Sequence, residues 1–224
     1  MDALIFDFDG VVVDSEPVHL ACFQRVLATI GVALTREDYY EKYLGFDDHD
    51  CFAAAARAAG ADVTEERIAE LTAAKTDLVR RAFAESVQPM PGAVELIRSA
   101  AAAGVPVGVC SGALREEIVQ AARAVGVLEH FATIVSAEDV PRGKPDPAGY
   151  RLALDRLARA AGRPLRAGRC VVVEDAPAGI DAARGAGMRV LAVTSSYPAE
   201  ALQAAERVVD SLADVKLPEL DELL

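Results

Sequence analysis

Apolar positions follow two regimes along the chain. Residues 3–8 are a short apolar run, Ala3-Leu4-Ile5-Phe6-Asp7-Phe8, whose end is interrupted and followed by acid at Asp7 and Asp9. Residues 18–86 then carry apolar side chains at helical spacing, with no strand-like run among them. This predicts helices over 18–30, 36–43, 50–59 and 64–83. Gly31 closes the first, and Thr64-Glu65-Glu66 gives the last a polar, acidic entry suited to a helix N-terminus. The block ends at a proline-rich boundary, Gln88-Pro89-Met90-Pro91-Gly92. Beyond it the pattern alternates. Helices are predicted at 93–103, 115–125, 147–161 and 178–186, and strands at 105–110, 133–135, 170–173, 189–193 and 207–209. Short apolar strands alternating with helices imply a parallel sheet covered on both faces. The first run must join that sheet, so the helical block is an insertion behind it. The expected class is α/β: a parallel-sheet core of residues 1–14 and 89–224, with a small all-helical domain of residues 15–88 inserted after the first strand.

Composition narrows the picture. Hydrophobic residues make up 52% of the 224 and tryptophan is absent, so a sizeable core is expected, built from Ala, Val, Leu and Ile. The formal net charge of -12 argues against a nucleic-acid partner. It also means that an anionic substrate needs a local metal or lysine to overcome the global field. Cys22, Cys51, Cys110 and Cys170 are scattered without CxxC spacing, which fits neither a zinc site nor a disulfide framework. A reducing cytosol is expected. The first apolar run is too short, and too acidic at its flank, for a signal peptide, and no stretch approaches membrane-spanning length. No membrane partner is expected, and the chain is expected to be a monomer or weak dimer.

Candidate chemistry lies at the predicted strand ends, where open parallel sheets bind ligands. The first strand ends in Asp7 and Asp9, another in Ser111-Gly112, and a later one in Glu174-Asp175. Arg142-Gly143-Lys144-Pro145-Asp146-Pro147 places a lysine just before a helix. Two carboxylates one residue apart repel unless a cation lies between them, and oxygen ligands suit magnesium. Together these parts form an inventory for phosphoryl transfer. Asp7 is the candidate nucleophile, and Asp9 the acid that protonates the leaving oxygen and later activates water. The expected Mg2+ ligands are Asp7 and Asp175, with help from Glu174 and the Asp9 backbone carbonyl. Ser111, nearby backbone N–H groups such as that of Gly112, and Lys144 are expected to hold the phosphoryl oxygens.

These residues fall into four motifs: Asp7-Phe8-Asp9-Gly10-Val11-Val12-Val13-Asp14-Ser15, Val109-Cys110-Ser111-Gly112, Gly143-Lys144-Pro145-Asp146-Pro147, and Val173-Glu174-Asp175-Ala176-Pro177-Ala178-Gly179-Ile180. In this order they resemble the haloacid dehalogenase superfamily of phosphatases and phosphomutases, over essentially the whole chain. The resemblance implies a Rossmann-like core with a helical cap inserted after the first motif, and the catalytic roles just given. Within the superfamily the chain looks most like beta-phosphoglucomutase and the sugar-phosphate or phosphoglycolate phosphatases. It implies a gate role for His19, which contacts Asp9 in the cap-open state of the mutases, and a substrate-facing role for the cap residue Lys75. The cap loop Leu44-Gly45-Phe46-Asp47-Asp48-His49 lacks the arginine that grips a second phosphate in beta-phosphoglucomutase, and its acids would repel one. Ala176 replaces the usual serine or threonine. Asp9 argues against dehalogenation, because true dehalogenases lack that second aspartate.

Plainer readings stand beside these. Ser111-Gly112 alone reads as a turn, Lys144 as a solvated loop lysine, and Glu174-Asp175 as helix N-terminal acids. His19 also reads as an ordinary helix histidine, Lys75 as a surface lysine on a helix, and Asp48 and His49 as loop residues, with a role in setting specificity as their alternative. The function expected is a magnesium-dependent phosphatase for a small phosphorylated metabolite, acting through an aspartyl-phosphate. A sugar phosphomutase, a phospho-acceptor domain of the response-regulator type and a non-catalytic binding protein are the alternatives. The receiver is disfavoured because it needs no acid such as Asp9.

Overall fold

The computed structural model describes residues 1–44 and 46–224, with the side chains of residues 84–86 outside that description. In chain order the strands are β1 (Ala3–Phe6), β2 (Val13–Asp14), β3 (Gln88–Pro89), β4 (Val107–Cys110), β5 (Phe131–Val135), β6 (Cys170–Glu174), β7 (Arg189–Val193) and β8 (Arg207–Val209). The α-helices are α1 (Glu16–Ala28), α2 (Arg36–Asp38), α3 (Asp48–Ala58), α4 (Glu65–Ser86), α5 (Ala93–Ala102), α6 (Arg115–Ala124), α7 (Ala148–Ala161) and α8 (Pro177–Gly185). The chain divides into two compact units, Ser15–Ser86 and the remainder. Val87 and Gln88, grouped with the helical block by the sequence pattern, fall in the sheet-bearing unit because Gln88 pairs antiparallel with Asp14.

The larger unit is a six-stranded parallel sheet in the order β5-β4-β1-β6-β7-β8. β1 is central and every residue in it is buried. Its alternating side chains point to opposite faces, so Ala3 and Ile5 pack with Tyr150 and Leu157 of α7 and Ile180 of α8. The strand order reverses on either side of β1, one arm running out through β4 and the other through β6. Such a switch point opens a crevice at the carboxyl end of the central strand. The α/β class with helices about a parallel sheet agrees with the alternation in the sequence.

Two differences have clear causes. The sequence pattern carries β1 to Phe8, but the strand stops at Phe6 because the Phe8 carbonyl accepts from the N–H groups of Val11, Val12 and Val13 and turns the chain. The strand expected over 105–110 begins at Val107, because the Val105 N–H closes the preceding helix on the Ala100 carbonyl and Pro106 has no N–H to give.

The smaller unit is all helical. Phe23 and Leu27 of α1, Phe52 of α3 and Leu71 of α4 meet in its core, with the Phe23 and Phe52 rings 5.0 Å apart. The helix expected over 36–43 is α2 followed by a π-helical turn, Tyr39–Tyr43, which buries Tyr39 and Tyr43 together. The Tyr39 hydroxyl donates to Glu16 Oε2 at 2.7 Å.

Candidate active site

At the end of β1 the chain delivers Asp7, then turns through Asp9 and Gly10. Gly10 has φ +72° and lies so close to Asp175 that a Cβ would stand 2.1 Å from Asp175 Oδ2. Only glycine satisfies both the left-handed backbone and the close approach. β6 delivers Glu174 and Asp175 beside it, because β1 and β6 are hydrogen-bonded neighbours in register. From the other neighbour, β4, comes Ser111, whose hydroxyl lies 3.4 Å from Asp9 Oδ2 and accepts from the Ala113 N–H at 3.0 Å. Gly112 is exposed next to it.

Lys144 joins these strand ends. Its Nζ donates to Asp7 Oδ1 and to Glu174 Oε1, both at 2.6 Å. Burial works against the ammonium, yet the Asp7 and Glu174 carboxylates hold its pKa above the ordinary lysine value. Burial pushes the Asp7 carboxyl up, and the charges of Glu174 and Asp175 add to this against the pull of Lys144. Burial likewise raises Asp175 to about 7, opposed by a hydrogen bond from Ser196 and reinforced by Glu174. Three acids thus crowd one ammonium.

This crowding decides whether a metal fits. Asp7, Glu174 and Asp175 each present a carboxylate oxygen, and these atoms lie within 4.8 Å of one another. The set is all hard oxygen, which suits Mg2+, and a dication would reverse the unfavourable charge balance. Glu174 is the least available of the three. Its Oε1 accepts from Lys144 and from the Tyr150 hydroxyl, and its Oε2 from the N–H groups of Asp175 and Ala176. Four donors fill the acceptor capacity of a carboxylate, so an inner place on a metal would require one of them to yield.

The Asp175 carboxylate is held by residues that sequence reasoning missed. Ser196 donates to Asp175 Oδ2, and Ser195 spans from the Gly10 carbonyl (2.5 Å) to the same oxygen (3.4 Å). Both follow β7, so extending the strand-end rule to that strand would have found them. Tyr150 was also missed, since nothing in the sequence distinguishes it from a purely apolar core position of α7.

His19, Asp48, His49 and Lys75 all belong to the helical unit, and three of them converge. Lys75 is buried, not a surface lysine, with only 3% of its side chain exposed. Its Nζ donates to Asp48 Oδ1 at 2.5 Å and to His19 Nδ1 at 2.9 Å, and lies 4.3 Å from the Phe23 ring centroid. A lysine can only donate, so His19 carries its proton on Nε2. Burial and the Lys75 charge depress His19 to about 3. His49 is exposed and paired with Asp50 and Glu65 instead. Gly45 of the cap loop lies outside the described residues. Asp48→Ala is expected to destabilise the helical unit by about 3 kcal/mol or more, because it strands a buried ammonium. Urea unfolding followed by circular dichroism measures this, and Asp48→Ala combined with Lys75→Met should recover most of the loss. A single variant as stable as the parent would refute the pairing as a support of the fold.

All four cysteines are buried and free. Among the described residues no helix is long and apolar enough to cross a membrane.

Known proteins resemble the chain over nearly its whole length. Residues 1–187 match the family of haloacid dehalogenase-like hydrolases. Validoxylamine A 7'-phosphate phosphatase of Streptomyces hygroscopicus subsp. limoneus is 30% identical over 216 residues, covering 96% of each chain. Hexitol phosphatase B of Escherichia coli is 31% identical over 223 residues, covering 99% of this chain and 93% of the other. The crystal structure of CbbY from Rhodobacter sphaeroides in complex with phosphate superposes with a TM-score of 0.84 at 30% identity, covering 99% of both chains. Matches of this extent span the sheet-bearing unit and the helical insertion alike, and the chain belongs to the haloacid dehalogenase-like hydrolase family.

Proposed function

We propose that the protein is a magnesium-dependent phosphatase that hydrolyses a small sugar-phosphate-like monoester through an aspartyl-phosphate on Asp7. The observation that carries this reading is the meeting of Asp7, Lys144, Glu174 and Asp175 at the end of the central strand. The phosphatase names of the two curated relatives support an ester of a hydroxylated small molecule.

Asp7 and Asp175 would hold the magnesium ion, with the Asp9 backbone carbonyl beside them. When bound, the ion supplies positive charge against the phosphoryl oxygens and the clustered acids. Lys144 and Ser111 orient the phosphoryl group and stabilise the charge that builds on it. An Asp7 carboxylate oxygen attacks phosphorus while the ester P–O bond breaks. The Asp9 carboxyl gives its proton to the departing oxygen, so that a neutral alcohol leaves. Asp9, now ionised, takes a proton from water as that water attacks phosphorus. Inorganic phosphate leaves and the Asp7 carboxylate is restored. The helical unit, residues 15–86, is read as a cap that excludes bulk water during these steps.

A screen of sugar phosphates, polyol phosphates, phosphoglycolate and nucleotides, with magnesium present, tests the reading. Release of phosphate from at least one hydroxylated monoester is expected. Conversion of a hexose 1-phosphate to its 6-phosphate without phosphate release would instead establish the mutase alternative. The role of Asp9 has a sharper test. Asp9→Asn is expected to lower turnover of an alkyl phosphate by about 10²- to 10⁴-fold. It should lower turnover of p-nitrophenyl phosphate much less, because that leaving group departs without a proton. Equal losses on the two esters would contradict leaving-group protonation.

A further inference from the structure

The hydroxyl of Tyr150 has no part in the steps above, yet it reaches their centre. Tyr150 is fully buried on the first turn of α7, and its Oη donates to Glu174 Oε1 at 2.8 Å. The same oxygen accepts from Lys144 at 2.6 Å, and Lys144 divides its ammonium between that oxygen and Asp7 Oδ1 at an equal 2.6 Å. Lys144 Nζ also lies 5.3 Å from the centroid of the Tyr150 ring. Glu174 cannot drift, because two backbone N–H groups fix its other oxygen and Gly179 packs directly beneath the carboxylate.

We propose that Tyr150 is a positioning residue for Lys144, keeping its ammonium shared between Glu174 and Asp7. A carboxylate oxygen that accepts two hydrogen bonds gives less of its charge to each. With the phenol in place, Glu174 Oε1 is satisfied from one side and competes only moderately for the ammonium. Without the phenol, a fully buried carboxylate oxygen would rest on Lys144 alone and draw it away from Asp7. Lys144 would then stand off the position in which it meets the transferring phosphoryl group. The ring itself fills the core either way, so the hydroxyl is the part that acts.

The kinetic consequence rests on the phosphatase reading, whereas the displacement of Lys144 does not, and the experiment reads them separately. Lys42, Lys75, Lys144 and Lys216 are the lysines of the chain, so the ε-carbon resonances of ¹³C-lysine protein can be assigned by single Lys→Arg or Lys→Met variants. Tyr150→Phe should move the Lys144 resonance and leave that of Lys75 in place. On p-nitrophenyl phosphate with magnesium chloride, the same variant should lower kcat about tenfold with KM within about twofold, the pattern of an interaction made in the transition state. A resonance of Lys144 unmoved by Tyr150→Phe overturns the proposal, whatever the kinetics. A moved resonance with unchanged kcat overturns it also, since Lys144 would then tolerate displacement. If the parent protein hydrolyses no phosphate ester, the phosphatase reading fails, and the resonance alone decides whether Tyr150 positions Lys144. Should Tyr150→Phe not fold, 3-fluorotyrosine in the parent chain makes the phenol a stronger donor while retaining it. The Lys144 resonance must then shift, and no shift overturns the proposal.

Discussion

Asp7→Asn is expected to reduce turnover of every phosphate ester by at least about 10⁴-fold, the scale seen when a covalent nucleophile is removed. The substitution keeps the shape of the side chain and a carbonyl oxygen facing Lys144, so packing is preserved. It removes the oxygen anion that would attack phosphorus and one of the oxygens that would hold magnesium. Stability should move the other way, or hardly at all. Asp7 is an acid whose ionised form is disfavoured by burial and by the charges of Glu174 and Asp175. An amide there relieves that repulsion, and Lys144 retains Glu174 as its partner. A thermal midpoint equal to or above that of the parent, together with loss of turnover, separates chemistry from folding. The preparation needs an intact-mass check, because deamidation of the asparagine would restore the parent enzyme. Activity within about a hundredfold of the parent in verified protein would remove Asp7 from the nucleophile role.

The parts of this site differ in how far the sequence exposes them, for physical reasons. Strand-end acids are legible because a buried parallel strand reads as an unbroken apolar run, and Asp7 or Glu174 at its end stands out against it. The helical insertion is legible for the same kind of reason: a change from short unbroken apolar runs to apolar positions at helical spacing is a change of pattern. Boundaries were less so. Whether β1 ends at Phe6 or Phe8 depends on three N–H groups that turn back onto one carbonyl, and hydrophobicity carries no trace of that. Tyr150 and Lys75 mark the limit. Both lie on helices, where pattern reports which face is inward but not which polar tip finds a partner there. Lys75 would ordinarily be counted among solvated residues, yet it is buried because Asp48 comes from another helix to meet it. Ser195 and Ser196 were missed although β7 itself was located, because a serine pair after a strand is most often only a turn.

Gly179→Ala is expected to cost about 3 kcal/mol and to lower activity about a hundredfold, against what helix propensity alone would give. Gly179 lies inside α8 with a backbone that any residue adopts, and alanine there should stabilise the helix by about 0.5–1 kcal/mol. Space reverses the sign. A Cβ at this position would stand 1.7 Å from Glu174 Oε1 and 2.0 Å from its carboxyl carbon. Glu174 has nowhere to retreat, since Lys144, Tyr150 and the N–H groups of Asp175 and Ala176 hold it on its other sides. Either α8 lifts from the sheet or the carboxylate moves, and a moved carboxylate takes Lys144 with it. Gly185→Ala is the control, because it ends the same helix and its Cβ would meet only Pro147 at 3.4 Å, an ordinary contact. Urea unfolding should find Gly185→Ala neutral or stabilising and Gly179→Ala strongly destabilised. If the two variants were equally stable and equally active, Glu174 would be free to shift, and the tight arrangement linking α8 to Lys144 would not be what sets the ammonium in place.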